Sequence, residues 1–435
     1  MELYQIFLKH SVVCTDTRKI KPDCIFFALK GDNFNGNAFA ENALKAGAAF
    51  AVIDEAEYKL DEKYILVNDV LIVLQQLAQH HRRQFRFPII AITGSNGKTT
   101  TKELCAAVMN TQYRTLFTQG NLNNHIGVPL TLLQLTDKHE AAIIEMGANH
   151  QGEIDFLCRI AEPTHGLITN IGKAHLEGFG GLKGVKRGKS ELYRWLAVNG
   201  GLIFVNESEK FLKTLVPKNT RYIDYKQSQR LNKSGKTYEV RLQKTNPFLS
   251  VQFFDEKDNL QQVATQLIGV YNFYNLLTAV CIGKYFRVPG EKIKQSLSEF
   301  IPTMNRSQIL HRSDGTTIIL DAYNANPSSM QSALLNLTTM PQKNKIAIIG
   351  DMFELGPEST IEHQNLLKFA HTFALKLLVT VGKNFAQTNG NRFFFETTQA
   401  ARTWFAEQIF DADTCILIKG SRGMQLETLL TTTNT

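Results

Sequence analysis

Short apolar runs separated by helix-length segments set the rhythm of this chain. Residues 25–29, 49–53 and 64–67 are three such runs, and the segments between them have helical spacing. This alternation predicts a small α/β unit over residues 1–86. The polar, basic stretch His80-His81-Arg82-Arg83-Gln84-Phe85-Arg86 is followed by Pro88 and marks a boundary. A second unit is expected over 87–301. There, runs at 89–93, 141–146 and 166–171 each end in glycine or a polar residue, as the strands of a parallel sheet with crossover helices do. Residues 221–259 alternate polar and apolar and predict a few antiparallel strands, and 271–286 predict a helix. After Ile301-Pro302 the strand-then-glycine pattern returns at 317–320, 345–349, 377–381 and 415–419. A doubly wound, Rossmann-like last unit over 302–435 follows, with ligands at the carboxyl ends of its strands. The fold class expected is α/β in three domains.

Composition narrows the partners. Of 435 residues, 43% are apolar and 20% charged, and the net charge of +8 comes from 48 basic residues spread along the whole chain. No arginine-rich tail argues for nucleic acid, so the excess suits anionic small molecules. Cys14, Cys24, Cys105, Cys158, Cys281 and Cys415 are far apart and read as reduced thiols. MELYQIFLKH lacks the pattern of a signal peptide, and no apolar run approaches the roughly 20 residues that span a bilayer. The expectation is a cytoplasmic, monomeric protein without membrane insertion.

The chemistry begins at "ITGSNGKTTTKE", between a strand and a helix. Gly94 and Gly97 let the backbone approach an anion, and the amides from Gly94, Ser95, Asn96 and Gly97 to the helix start point at it. Lys98 neutralises β- and γ-phosphate oxygens, and a hydroxyl of Thr99 or Thr100 ligates Mg²⁺. The spacing is a short G-x-x-G-K-T, with isoleucine at 92 where the general P-loop has glycine. Glu145 ends a strand in "AAIIEMGANH", where a charge needs a cation beside it. His175 follows another strand end in "ITNIGKAHLEGFGG". Together they suggest a nucleotide site with metal.

Nine stretches in order, among them "TGSNGKTTTKE", "GNLNNHIGVPLTLL", "EMGANHQGEI", "GVYNFYNLLTA", "DAYNANPSSM", "GDMFELG" and "KGSRGM", resemble the Mur ligase family. They span Asp16 to Met424, and "TTTKE" and "DAYNANP" are similar to the dipeptide-adding members. The resemblance implies ATP-dependent amide formation through an acyl phosphate, with ATP and two Mg²⁺ ions as cofactors. It implies UDP-N-acetylmuramoyl-tripeptide and D-alanyl-D-alanine as partners. Lys98, Glu145, His175 and Lys189 would be catalytic, and Thr99, Glu145, His175 and a carbamylated Lys189 would hold metal. Lysine must be neutral to take up CO₂, so the pKa of Lys189 is expected to be lowered by nearby metal and basic residues.

The resemblance places adenine at Asn272 and Asn275, three apart on one helix face. It sets Arg306 near phosphate, and Asp321 and Tyr323 at the ribose. Asn324, Asn326 and Arg422 fall where the last domain closes and the incoming dipeptide binds. Asn121, Asn123 and Asn124, with His125, would line the muramoyl-peptide channel. Asp16, Thr17, Arg18, Lys30, Gly31, Phe34 and Gly36 match the uridine-diphosphate pocket. Rival readings are a third-residue-adding muramyl ligase, a folylpolyglutamate synthase, or a P-loop protein without amide chemistry. The first is disfavoured by Asp-Ala-Tyr-Asn-Ala-Asn-Pro in place of Asp-Asn-Pro-Arg.

Overall fold

The computed structural model describes residues 2–233, 237–303 and 305–430. Helix α1 (Glu2–Lys9) precedes a four-stranded parallel sheet in the order β1-β2-β3-β4: Val13–Cys14, Ile25–Phe27, Phe50–Ile53 and Tyr64–Leu66. Helix α2 (Val70–Arg82) follows, capped by the Asp69 carboxylate accepting from Ile72 N. Its apolar stripe, Val70, Leu74, Leu77 and Ala78, is buried in a cluster that also contains Val128, Leu132 and Ile154 of the next unit. The C-terminal turn of α2 is tied there by polar groups as well. Arg82 donates to Ala161 O and Glu162 O at 2.8 Å each, Gln75 donates to His125 O at 3.0 Å, and His81 Nε2 lies 2.9 Å from Leu135 O. Two of those acceptors, Ala161 O and Glu162 O, are carbonyls at the C-terminal end of the helix Glu153–Ala161, where intrahelical donors run out.

The central sheet begins with β5 (Ile89–Thr93), followed by α3 (Lys98–Met109), β6 (Thr115–Phe117), α4 (Gly127–Leu132), β7 (Ala141–Glu145), α5 (Glu153–Ala161) and β8 (His165–Ile168). After α6 (Leu182–Lys189) come β9 (Leu202–Asn206), β10 (Arg221–Gln227), β11 (Tyr238–Lys244), β12 (Ser250–Phe254), β13 (Leu260–Ala264) and α7 (Val270–Tyr285). The strand order is β13-β12-β11-β10-β9-β8-β5-β7-β6. β10 pairs parallel to β9, and β11 parallel to β10; only β11-β12 and β12-β13 are antiparallel. The antiparallel expectation for 221–259 holds from Tyr238 onward and is corrected for Arg221–Gln227, which is parallel to both neighbours. The alternating pattern there reports one buried face, with Tyr225 and Val240 in the core, and carries no information on strand direction. Helices α3 and α7 pack together over that face.

The last sheet comprises β14 (Gln308–His311), β15 (Thr317–Asp321), β16 (Asn344–Gly350), β17 (Leu377–Val381), β18 (Phe394–Phe395) and β19 (Thr414–Lys419), with α8 (Pro327–Thr339) after β15. Its order is β14-β15-β19-β16-β17-β18, parallel except for the β14 edge. The order doubles back across β19, so the carboxyl ends of β15 and β19 open toward the central sheet, as the pairing of Asp321 with Lys419 marks. All six cysteines are free and buried. Among the described residues, no helix is long and apolar enough to cross a membrane.

Candidate active site

The carboxyl ends of β5, β7, β8 and β15 meet around a cleft of about 700 Å³. The turn after β5 is built against the segment after β8. Ser95 N donates to Asn170 O at 3.0 Å, Asn96 N to Asn170 Oδ1 at 2.9 Å, and Thr169 Oγ1 to Asn96 O at 2.6 Å. A Cβ at Gly94 would stand 2.0 Å from Thr169 Oγ1, so only glycine permits that approach. Lys98, the first residue of α3, folds back to donate to Gly94 O at 2.8 Å and Ser95 O at 3.3 Å. Burial lowers its pKa, with the charge of Glu145 pulling the other way.

Glu145, buried at the end of β7, accepts from Thr99 Oγ1 at 3.1 Å and Asn123 Nδ2 at 2.8 Å, both on Oε1. Its Oε2 has no hydrogen-bond partner although buried. Lys102, itself fully buried, stands 3.9 Å from that oxygen. Asn123 both bonds the carboxylate and lines the cleft, as Asn124 and His125 do, whereas Asn121 lies outside its lining. His175 has a left-handed backbone at φ 52°, and its Nδ1 is 2.5 Å from Glu354 Oε2. The alignment is not that of a hydrogen bond. His175 nevertheless holds the Glu354 carboxyl below its ordinary pKa, against burial.

Lys189 closes α6 and is fully buried, which excludes a surface lysine. Its Nζ donates to Ala148 O at 3.1 Å and lies 5.1 Å over the Phe179 ring. Its pKa is pushed well below the ordinary lysine value. The main cause is burial, which the expectation of a nearby metal and basic residues did not name, with the charge of Lys98 second. Glu191 accepts from Gly152 N and Asp155 N and so caps α5. Among the described residues, no three His, Cys, Asp or Glu side chains form a ready metal centre.

Asn272 and Asn275 share one face of α7 as expected, and both line the cleft. They bond first to each other, Asn275 Nδ2 donating to Asn272 Oδ1 at 2.9 Å, while Asn275 Oδ1 accepts from Thr101 at 2.9 Å. The opposite wall comes from the last unit. The Arg306 guanidinium stacks 3.8 Å over Tyr323, and Asp321 accepts from Lys419 at 2.7 Å and from Ser307 N at 3.1 Å. Asn324 caps its own turn, with its carbonyl accepting from Lys419. Asn326 reaches Asn96 of the phosphate turn at 2.7 Å, and Asn96 donates to Ser328 at 3.0 Å.

The remaining residues stand apart from this cleft. Arg422 is exposed and paired with Glu427. Asp16 and Arg18 form a bidentate ion pair, with Thr17 in the same turn, and Arg18 holds the Asp16 carboxyl at about 2. Lys30 meets Asp54 at 3.1 Å, Gly31 and the exposed Phe34 form a hairpin, and Gly36 lies against Leu29 O. Sequence reasoning missed Glu354, Lys102, Ser328 and Lys419. All four sat inside quoted motifs, so the signal existed, but nothing local said which cavity they faced.

Three family descriptions match the chain in order: "Mur ligase family, catalytic domain" over residues 9–82, "Mur ligase middle domain" over 92–283 and "Mur ligase, glutamate ligase domain" over 305–422. A UDP-N-acetylmuramoyl-tripeptide–D-alanyl-D-alanine ligase from Bacillus subtilis is 34% identical over 429 residues, 96% of this chain and 92% of its own. The chain belongs to the Mur ligase family. The Escherichia coli ligase of the same name is 33% identical to this Mur ligase, covering 95% of it and 92% of the relative. A crystal structure of MurF from Acinetobacter baumannii superposes with a TM-score of 0.83 at 30% identity, covering 96% and 92% of the two chains. A Thermotoga maritima MurF ligase in complex with ADP shares the fold, with a TM-score of 0.82 at 23% identity and 97% of each chain covered.

Proposed function

We propose that this Mur ligase joins D-alanyl-D-alanine to UDP-N-acetylmuramoyl-tripeptide, converting ATP to ADP and phosphate through an acyl phosphate. The substrate assignment rests on the full-length similarity to ligases of that name. The observation that carries the chemistry is Glu145. A buried carboxylate with one oxygen lacking any hydrogen-bond partner, bonded to the threonine after a phosphate-turn lysine, fits a magnesium ligand. Mg²⁺ keeps several waters and phosphate oxygens, so it needs no dense protein cage. Thr99 and Glu145 would hold one ion, and His175 with a carbamylated Lys189 a second. The metal supplies neutralisation of the phosphate and carboxylate charges drawn together.

The chain's own groups do the rest. Lys98 leaves Gly94 O and Ser95 O to meet the γ-phosphate, where its charge counts most as negative charge spreads over the transferring oxygens. Burial pushes the amine of Lys189 toward its neutral form, the form that adds CO₂ with loss of one proton. Arg306, Asp321 and Lys419 bring the last domain over the nucleotide, with the domains divided near residues 87 and 302. Entry of the dipeptide amine from that side places it opposite the activated carboxylate and excludes water. The reading carries with it a cytoplasmic site of action and a single chain as the working unit.

A coupled ADP assay tests it, with UDP-muramoyl peptides of two, three and four residues and a panel of D-dipeptides. ADP should appear only when the tripeptide and a D-dipeptide are both present. ADP release with the dipeptide-stage precursor and a free amino acid would point instead to a ligase that adds the third residue.

A further inference from the structure

The sheet order decides which way a nucleotide lies in the cleft. The phosphate turn follows β5, and Glu145 follows β7 on one side of it; β8 and then β9 lie on the other. With its terminal phosphate toward Glu145, a nucleotide extends its base across the carboxyl ends of β8 and β9. At that end the wall is made by Asn272 and Tyr274 of α7 and by Glu209 in the turn after β9.

Glu209 is the odd member of its turn. The backbone around it is fully tied: Glu209 N donates to Asn206 O at 3.1 Å, Ser208 N to Asn206 Oδ1 at 3.0 Å, and Gln227 N to Ser208 Oγ at 3.0 Å. Neighbouring Glu207 pairs with Lys213. The Glu209 carboxylate, by contrast, has no hydrogen bond or ion pair among the described residues, although most of its surface is covered. Both side chains line the cleft; burial raises the pKa of Glu209, and burial first, then the Glu209 charge, raises that of the Tyr274 phenol. A half-buried carboxylate on the cleft wall with no protein donor is free to accept from a ligand's N–H.

We propose that Glu209 selects the base, accepting a hydrogen bond from the exocyclic 6-amino group of adenine and rejecting purines with an oxygen at that position. Adenine presents a donor there, and guanine or hypoxanthine a carbonyl whose lone pairs face the carboxylate. Asn272 and Asn275 are poor discriminators by comparison. Their amides are engaged with each other, and an amide can turn to suit donor or acceptor. The inference rests on the ATP reading of the cleft.

The test compares ATP, inosine triphosphate and purine riboside triphosphate, which lacks any substituent at position 6, in full ligation assays with the intact enzyme. The wild type should favour ATP over the purine riboside by roughly 10- to 100-fold in kcat/KM, the worth of one charge-assisted hydrogen bond, and should disfavour inosine more strongly. In Glu209→Ala the ratio of ATP to purine riboside should fall to near one. Glu209→Gln keeps the shape and adds a donor, so it should gain on inosine by roughly tenfold relative to the wild type. An unchanged ATP to purine riboside ratio in both variants overturns the assignment. So does a loss spread equally over all three nucleotides, which would take the carboxylate away from position 6 of the base. Failure of the wild type to release ADP from ATP is a separate outcome, which removes the cleft reading and this inference with it.

Discussion

Gly97→Ala is the substitution whose cost follows most directly from the geometry. Gly97 precedes α3 with φ 77°, a left-handed conformation that costs an alanine roughly 1 kcal/mol. The added Cβ would stand 2.6 Å from Asn275 Oδ1, on side-chain atoms that cannot simply swing away. That oxygen accepts from Thr101, and the same amide donates to Asn272. Displacing it breaks two buried hydrogen bonds at about 1 kcal/mol each. The sum is about 3 kcal/mol, which in a unit of some 200 residues corresponds to a melting drop of roughly 6–12 °C. Gly200→Ala is the control, because Gly200 has φ 67° with open space around its Cβ position, so it bears only the conformational part. Thermal unfolding followed by fluorescence, and ADP binding by calorimetry, measure both consequences. Gly97→Ala should melt several degrees below Gly200→Ala and bind ADP at least tenfold more weakly. Equal melting temperatures for the two variants would refute the packing argument, and unchanged ADP affinity would refute the phosphate-turn assignment.

Lys189→Ala should lose most activity and regain part of it with added short-chain carboxylates, whereas Lys189→Arg should not recover, because guanidinium cannot form a carbamate; full activity in the arginine variant refutes the modification. His165 is held at about 4 by burial, against 6.5 when unfolded. The unfolded chain then binds more protons between those values, so stability falls as pH drops through that window, by up to roughly 3 kcal/mol at pH 4. His165→Phe should flatten the melting temperature between pH 6.5 and 4, and an unchanged slope counts against this. Asn96→Ala removes both bonds from the phosphate turn to α8. Small-angle scattering without nucleotide should then show a larger radius of gyration than the wild type, and identical profiles would show that those bonds do not hold the last domain.

Much of this fold was legible because buried parallel strands are unbroken apolar runs. Residues 89–93 and 377–381 match their strands to the residue, and the ends of the other runs differ by at most three. The pattern failed at 221–244, where one face of the sheet is covered and the other is wet, and alternation says nothing about direction. The phosphate turn was readable because its residues are contiguous. The depth of Lys189 was not, since Phe179 and Ala148, which cover it, come from two other segments. Nor was the pairing of His175 with Glu354, which are contributed by loops 179 residues apart that only the closed arrangement brings together. The proposed uridine-diphosphate residues were expected to face a ligand. Arg18 and Lys30 instead satisfy neighbouring carboxylates, which a chain read one residue at a time does not reveal.

The ties between α2 and the central unit bear on how the chain folds as it is made. The ties that α2 side chains make to the central unit all reach downstream, from His125 O to Glu162 O, the last being 80 positions beyond Arg82. At a synthesis rate of roughly 5–20 residues per second, α2 leaves the ribosome about 4–16 s before that partner exists. During that interval its stripe of Val70, Leu74, Leu77 and Ala78 is covered only from the side of Phe7, Ile25 and Phe27, and Arg82 lacks its carbonyls at Ala161 and Glu162. The nascent first domain is therefore a client for chaperones until α5 emerges, and a truncated chain ending near residue 86 should be aggregation-prone rather than an independently folding module.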